Sequence, residues 1–163
     1  MSIFKDILNV LRLQTEQLPF ETKSYQIPSI GAAAAYATGD AFGEGFWVTL
    51  PKKGIIDGLT FIDLDDEGIA KTIYLFRKVV NVSADNAVFT PVASDMVAGS
   101  PIQINLTASD YVTHSGGRLA TVTSIGLPYE APEGRLWCRL VTRGVDNIAA
   151  GASPYIFFSG RQR

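Results

Sequence analysis

Two runs of β-branched and aromatic residues, joined by an acidic turn, constrain this chain more than any other feature. The first run extends from Ile55 to Ile62 and the second from Ile69 to Arg77. Residues of these types are typical of β-strands. The intervening turn, residues 63–68, contains three aspartates and one glutamate and ends in glycine. The sequence therefore predicts two strands joined by a solvated hairpin turn.

The rest of the chain repeats this alternation of short strands and turns. Further strand-like segments cover residues 20–27, 30–36, 46–50, 102–106, 118–125, 136–142 and 154–159. Turns or loops are expected over residues 39–45, 90–101, 109–117 and 126–134. Because helices between the strands are lacking, a sandwich or barrel is favoured over a parallel α/β sheet. We predict an all-β, jelly-roll-like β-sandwich of about eight strands, a fold that suits a chain of this length.

One amphipathic helix is expected, at the N-terminus. Ser2 is an acceptable N-cap. Apolar residues then recur at helical spacing on one face, namely Ile3, Phe4, Ile7, Leu8 and Leu11. We assign residues 1–16 to this helix or arm and residues 17–163 to a single β-sandwich domain. The helix either packs on its own domain or docks on a neighbouring subunit, and its apolar residues are candidate contacts to a capsid or to another subunit.

The composition favours assembly with other proteins. Hydrophobic residues make up 47% of the chain and charged residues only 18%, which is below the usual quarter. The net charge of −2 provides no basic field to attract nucleic acid. No stretch approaches the roughly 20 apolar residues that span a bilayer. We therefore expect protein partners, with neither nucleic acid nor a membrane among them.

Neither a disulfide nor a secretion signal is predicted. The single cysteine, Cys138, lies in an alternating, strand-like segment, where a cysteine is most often a small buried hydrophobe. At the N-terminus, Asp6, Asn9 and Arg12 interrupt the apolar run that a signal peptide needs. The fold is thus expected to need no oxidising compartment.

The acidic turn is the best candidate for a metal site. Asp63, Asp65 and Asp66 are hard oxygen donors of the kind that calcium prefers, but they lack the spacing and distal glutamate of an EF-hand loop. A solvated turn without metal is the competing interpretation and the one we adopt. No cofactor is predicted.

Other features give no catalytic signature. His114 is the only histidine, and we interpret it as a surface or interface residue because no nucleophile is placed beside it. Residues 39–45 are rich in glycine but lack the lysine of a phosphate-binding loop. Aromatic residues that, if exposed, would form a sugar-binding platform are Tyr25, Trp47, Tyr111 and Tyr129. Because aromatic residues of a β-sandwich mostly belong to its core, we adopt the core interpretation. An enzyme is the weakest hypothesis.

The order of several short motifs resembles the capsid decoration, or cement, proteins of tailed bacteriophages. The landmarks extend from residue 36 to residue 158. They are Tyr36-Ala37-Thr38-Gly39-Asp40, Gly54-Ile55-Ile56 with Leu59, Asp63 and Asp65, Leu75-Phe76, Asp85-Asn86-Ala87 with Phe89, Gly126-Leu127-Pro128-Tyr129, and Leu136-Trp137 through Arg143-Gly144. The residues before Tyr36 depart from this pattern.

This resemblance implies a non-enzymatic virion protein with a jelly-roll-like domain. Such a protein binds the outer surface of the capsid, has the major capsid protein as its partner, and is made in the host cytoplasm. Together with the apolar composition, the resemblance leads us to expect a homotrimer. Two alternatives stay open: another virion component, such as a head fibre base or a tail protein, and a carbohydrate-binding jelly-roll module.

Overall fold

The computed structural model describes residues 17–31, 35–80, 83–149 and 152–163. These residues form ten strands, one short α-helix and one turn of 3₁₀ helix. The strands are β1 (Pro19–Glu21), β2 (Tyr25–Gln26), β3 (Ala41–Thr49), β4 (Lys53–Asp63), β5 (Lys71–Phe76), β6 (Ile102–Leu106), β7 (Tyr111–His114), β8 (Gly117–Glu130), β9 (Arg135–Thr142) and β10 (Tyr155–Gln162). The helix α1 spans Ala93–Gly99, and the 3₁₀ turn spans Ala108–Asp110.

The strands form two antiparallel sheets. The first sheet has the order β1-β10-β4-β8-β7, and β2 also pairs with β10. The second sheet has the order β3-β9-β5-β6. Consecutive strands β3, β4 and β5 thus alternate between the sheets, as expected for a sandwich that is built from Greek-key connections.

The pairing identifies the sandwich as a jelly roll. If β1 and β2 are counted as one interrupted strand and β7 is left aside, eight strands remain. The first then pairs with the last (β1 with β10), the second with the seventh (β3 with β9), the third with the sixth (β4 with β8), and the fourth with the fifth (β5 with β6). This is the pattern of a long hairpin rolled up on itself. The predicted all-β, jelly-roll-like sandwich is confirmed, whereas the N-terminal helix that was predicted with it lies outside the described residues.

The core lies between the two sheets. It is lined by alternate residues of each strand, such as Leu59 and Phe61 of β4, Ile73 of β5 and Phe158 of β10, all nearly inaccessible to solvent. Burial of side chains of this size contributes about 1.5–3 kcal/mol each. Cys138 of β9 belongs to the same core and is a free thiol, so its prediction as a small buried hydrophobe is confirmed.

The acidic turn does not close a hairpin. β4 and β5, which it connects, lie in different sheets, so the predicted hairpin is wrong and residues 64–70 cross from one sheet to the other. The predicted turn over residues 39–45 is also wrong beyond Asp40, because β3 begins at Ala41. Gly43 and Gly45 instead lie at a bulge in β3, where Gly43 has a φ of +69° and a Cβ on it would lie 2.5 Å from Ile27.

Two predicted loops are partly strands. Tyr111–His114 forms β7, which pairs with the start of β8 through a turn at residues 115–116. β8 continues through Pro128 to Glu130, where a loop was expected. β7 reaches only as far as Ala120, so β4 is the only partner assigned to the later half of β8 in the described sheet. A proline is tolerated beside such an open edge because its missing N–H is not needed there.

Three other predictions have different outcomes. The loop expected over residues 90–101 contains α1, and the strand expected over residues 20–27 is split into β1 and β2. The short strand predicted over residues 30–36 falls partly on residues 32–34, outside the described part, and Tyr36 forms an isolated bridge with Asp146. The N-terminal helix, including Ile3, Phe4, Ile7, Leu8 and Leu11, lies wholly outside the described residues.

Candidate functional site

The outer face of the second sheet is covered by a long connection between β5 and β6. We call this connection, residues 77–80 and 83–101, the covering segment. Side chains alternate across a strand, so Phe76 and Arg139, next to core residues Leu75 and Cys138, point outward. Both are nevertheless buried, with exposed fractions of 0% and 1%. The covering segment therefore shields a face that would otherwise contact solvent.

Several contacts hold the covering segment against this face. The ring of Phe89 stacks on Tyr74 of β5 at a centroid distance of 5.3 Å. Gly99, the last residue of α1, lies so close to Phe76 that a Cβ at Gly99 would be 2.9 Å from its ring. The guanidinium Nη2 of Arg139 donates to the carbonyl of Ser83 at 2.6 Å. The segment thus has both apolar and polar attachments.

Asp85 fixes the middle of the covering segment. Its Oδ1 accepts hydrogen bonds from the hydroxyl of Tyr36 at 2.8 Å and the backbone N–H of Gly43 at 2.7 Å. Its Oδ2 accepts the N–H of Gly31 at 2.8 Å. Burial and the adjacent Asp85 carboxylate raise the pKa of Tyr36. One carboxylate thereby ties the covering segment to residues 31–43, which lie 42 to 54 positions earlier in the chain.

A pocket opens between the covering segment and the second sheet. We call it the side pocket; its volume is about 240 Å³. The lining residues are Glu44, Gly45, Ser83, Ala84, Trp137 and Arg139. Within the described part of the chain, Arg139 Nε and Trp137 Nε1 are buried without a hydrogen-bond partner. Burial lowers the pKa of Arg139, and the carboxylates of Asp85 and Glu44 oppose that shift.

A second group of polar side chains closes one end of the core, and we call it the polar end. Lys71 of β5 and Asp146 form an ion pair in which both side chains are buried. The Nζ of Lys71 also donates to the carbonyl of Ile69 at 2.9 Å and lies 4.6 Å from the centre of the Phe42 ring. Burial lowers the pKa of Lys71 and raises that of Asp146, and the ion pair opposes both shifts.

The calcium candidates have separate protein partners. Asp63 is buried and accepts the N–H groups of Asp65 and Gly68, each at 2.9 Å. Asp65 accepts the N–H of Ala149 at 2.7 Å, and Asp66 pairs with Arg118 at 2.8 Å. No group of three or more metal-ligating side chains occurs among the residues that the structure describes. The turn is solvated at Asp66, but at Asp63 it is part of the folded interior.

The other residues that the sequence singled out, His114 and the aromatic residues, do not form a common site. His114 is exposed at the end of β7, and its Nδ1 lies 3.3 Å from the carbonyl oxygen of Ser115. Tyr25 and Tyr129 are buried, with exposed fractions of 9% and 4%. These two aromatic residues therefore belong to the core, as the interpretation that we adopted predicted, and do not form an exposed platform. In the four described ranges, no helix is long and apolar enough to cross a membrane.

Sequence reasoning missed Arg139, Asp85 and the Lys71–Asp146 pair. A charged residue on a strand ordinarily indicates an exposed face, so the type of Arg139 gave no signal of its burial. The available signal was that Trp137 and Val141, which share its face of the strand by alternation, are apolar. Asp85 was named only as a landmark of the resemblance, and no role was assigned to it because its three donors lie 42 to 54 residues away along the chain.

Comparison with known proteins gives a distant structural likeness. No protein-family model and no curated protein matches the chain. Among solved structures, a chain of the Israeli acute paralysis virus full particle, heated to 63 degrees, is 12% identical, with a TM-score of 0.34. A chain of the native Kashmir bee virus virion at neutral pH is 12% identical, with a TM-score of 0.32. In both cases 92% of this chain and 72% of the other chain are covered. The jelly-roll assignment rests on strand pairing and is independent of this likeness.

Proposed function

We propose that this chain is a structural virion protein of the decoration, or cement, type. It binds the outer surface of a tailed-phage capsid and stabilises contacts between capsomers. The ordered landmarks between residues 36 and 158 support this proposal, as does the jelly-roll fold that they imply. A protein that binds only the assembled lattice stabilises it by mass action. Binding of this kind requires no catalytic group.

The observation that carries the proposal is the exposure of valines on the covering segment. Val79, Val88, Val92 and Val97 are 52%, 61%, 54% and 80% exposed. They are four of the eight large apolar side chains that are exposed in the described ranges. Apolar side chains that are concentrated on one surface indicate a protein contact more strongly than the same number scattered over the molecule. We therefore place the capsid contact on the covering segment.

The proposal extends to partners and location. The major capsid protein is the partner, and the chain acts as a homotrimer on the virion surface after synthesis in the host cytoplasm. The N-terminal helix, with Ile3, Phe4, Ile7, Leu8 and Leu11 as anchors, is proposed as an additional contact, either with a neighbouring subunit or with the shell. We propose no enzymatic activity.

The test is binding to expanded, undecorated capsids, measured by co-sedimentation, with the mass of the free protein determined by light scattering. We expect saturable binding by a trimer. The variant Val88→Asp/Val92→Asp/Val97→Asp should bind at least about tenfold more weakly, because each carboxylate must lose its hydration in the contact. A variant lacking residues 1–16 tests the helix separately.

A matched control keeps this test specific. Val112 and Val145 are 68% and 67% exposed but lie outside the covering segment. The variant Val112→Asp/Val145→Asp should bind capsids as the parent does. If both variants bind equally well, the covering segment is not the contact. If the parent itself ignores capsids and is monomeric, the decoration hypothesis is wrong.

A further inference from the structure

The Lys71–Asp146 pair at the polar end places an amine against a carboxyl group inside the core. The Nζ of Lys71 contacts the Oδ2 of Asp146, and the two side chains are only 1% and 0% exposed. The rings of Phe42 and Phe61, both fully buried, lie 4.6 Å and 5.9 Å from the same Nζ. The amine and the carboxyl group are therefore shielded from bulk water.

The backbone holds the two side chains in this arrangement. Lys71 begins β5, where it pairs with Leu106 on one side and with Thr142 on the other. Asp146 exchanges two backbone hydrogen bonds with Tyr36, at 2.7 Å and 3.2 Å. Groups that are well oriented on one molecule react as if at effective concentrations of about 10⁵–10⁸ M. Contact that is fixed in this way favours a reaction between the two groups.

The surroundings of the pair stabilise its charges poorly. Apart from Lys71, neither carboxylate oxygen of Asp146 has a hydrogen-bond partner among the described residues. Burial raises the pKa of Asp146 and lowers that of Lys71, although the ion pair opposes both shifts. Transfer of one proton from Lys71 to Asp146 gives a neutral amine, which is a nucleophile, and a neutral carboxylic acid, which the amine can attack.

Glu67 is placed to carry protons for this pair. It lies in the crossing from β4 to β5, four residues before Lys71, and is half-buried. Asp146 and Lys71 both act electrostatically on it. Burial and the nearby carboxylates raise the pKa of Glu67, so it takes up a proton more readily than an exposed glutamate does. The buried acid Asp63, by contrast, already accepts two backbone N–H groups.

We propose that Lys71 and Asp146 condense to an intramolecular amide bond, with Glu67 as the proton carrier. The Nζ attacks the Cγ of Asp146, so that a nitrogen–carbon bond forms and one carbon–oxygen bond breaks. The departing oxygen takes the two protons that the ammonium nitrogen gives up and leaves as water. Charge and atoms balance, and nothing is oxidised or reduced. The bond closes a covalent loop that contains β6 to β9.

The reaction is expected to be slow, because the ion pair stabilises the charged form, which must transfer a proton before the nitrogen can attack. Freshly purified protein is therefore mainly ion-paired, and the cross-linked fraction increases during incubation. Stability measurements on variants of the ion pair refer to fresh protein. The amide bond does not depend on capsid binding, which uses the exposed valines of the covering segment.

The experiment is intact-mass spectrometry of the full chain, fresh and after incubation for several days below its unfolding temperature. We expect a growing fraction that has lost the mass of one water molecule, and a tryptic digest in which the peptides containing Lys71 and Asp146 are joined. A succinimide at Asp57-Gly58 would give the same mass loss, but hydroxylamine opens a succinimide and leaves an amide intact. If the incubated chain keeps its full mass, or loses water only at other positions, the proposal is overturned.

Variants test the assigned roles. Lys71→Arg keeps the positive charge but has no nucleophilic amine, so it should keep its full mass. Glu67→Gln should slow the loss of water by at least about a hundredfold, the effect of removing a group that transfers protons, and Glu67→Asp should be slowed less. Asp66→Asn, which removes an exposed carboxylate of the same turn that pairs with Arg118, should react as the parent does. Loss of water from Lys71→Arg at the parental rate overturns the amide bond, and equal rates for Glu67→Gln and the parent overturn the role of Glu67.

Discussion

The polar end and the side pocket each bury one cation, and they treat it differently. Lys71 at the polar end has a buried carboxylate, a backbone carbonyl and an aromatic ring around its Nζ. Among the described residues, Arg139 in the side pocket makes one hydrogen bond, to Ser83, and its buried Nε has no partner. Lys71 is therefore held mainly by an ion pair, whereas Arg139 is held by one hydrogen bond and by the packing of the covering segment over it. The two regions should differ in how strongly the stability of the fold depends on the buried charge.

The largest effect is expected from breaking the pair at the polar end. Asp146→Ala leaves the charge of Lys71 buried without its partner, which should lower the free energy of unfolding by about 3–5 kcal/mol. Urea denaturation measures the loss. The double variant Lys71→Met/Asp146→Leu removes both charges and should recover most of the stability. If Asp146→Ala were as stable as the parent, the ion pair would contribute nothing to the free energy of unfolding.

A smaller effect is expected from the equivalent change in the side pocket. Arg139→Met retains most of the packing of the side chain and removes one hydrogen bond, so the free energy of unfolding should fall by about 1–2 kcal/mol. Lys71→Met is the matched comparison, since it leaves Asp146 buried and unpaired and should cost about 3–5 kcal/mol. Equal losses in urea denaturation would contradict the distinction between the two regions.

Alkaline pH should give the smallest effect, and it should act at two buried tyrosines, one beside Asp85 of the covering segment and one at the polar end. Burial raises the pKa of Tyr36, beside Asp85, and of Tyr111, whose hydroxyl donates to Ile69 at the polar end. A raised pKa in the folded state means that the native protein holds the proton longer than the unfolded chain does. The stabilisation that each tyrosine contributes is therefore complete below the ordinary tyrosine pKa of about 10 and is lost as the pH rises above it.

Two phenylalanine variants measure this loss at each tyrosine. Between about pH 9 and pH 11, Tyr36→Phe and Tyr111→Phe should each lose about 1 kcal/mol less stability than the parent does, because each lacks one ionisable hydroxyl. The measurement is urea denaturation across this pH range. An unchanged slope in either variant would show that the tyrosine concerned ionises equally in both states.

The sequence alone predicted the strands that have at least one face of apolar side chains. β4, β5, β9 and β10 were all expected from their β-branched and aromatic residues, and their number and spacing led to the jelly roll. β7 was missed because Val112, Thr113 and His114 are exposed and its pairing with β8 depends on a hairpin and not on burial. The course of β8 through Pro128 depends on an open sheet edge, which only the assembled sheet defines.

The polar sites could not be predicted from local patterns. The acidic turn looked like a solvated hairpin because its residues are hydrophilic, yet Asp63 is buried where the chain changes sheets. Arg139 was hidden within an apolar strand, and the covering segment that buries it lies about 40 to 60 residues earlier in the sequence. Such contacts arise from topology, which composition and spacing leave undetermined.

The position of β10 has a consequence for synthesis. β10 lies between β1 and β4 in the first sheet and pairs with both, although it is the last of the described strands to be translated. Until the ribosome has released residues 155–162, β1 lacks its neighbour and one edge of β4 is unpaired. The nascent chain should therefore remain open to chaperones and to pairing with other chains until translation of this strand is complete.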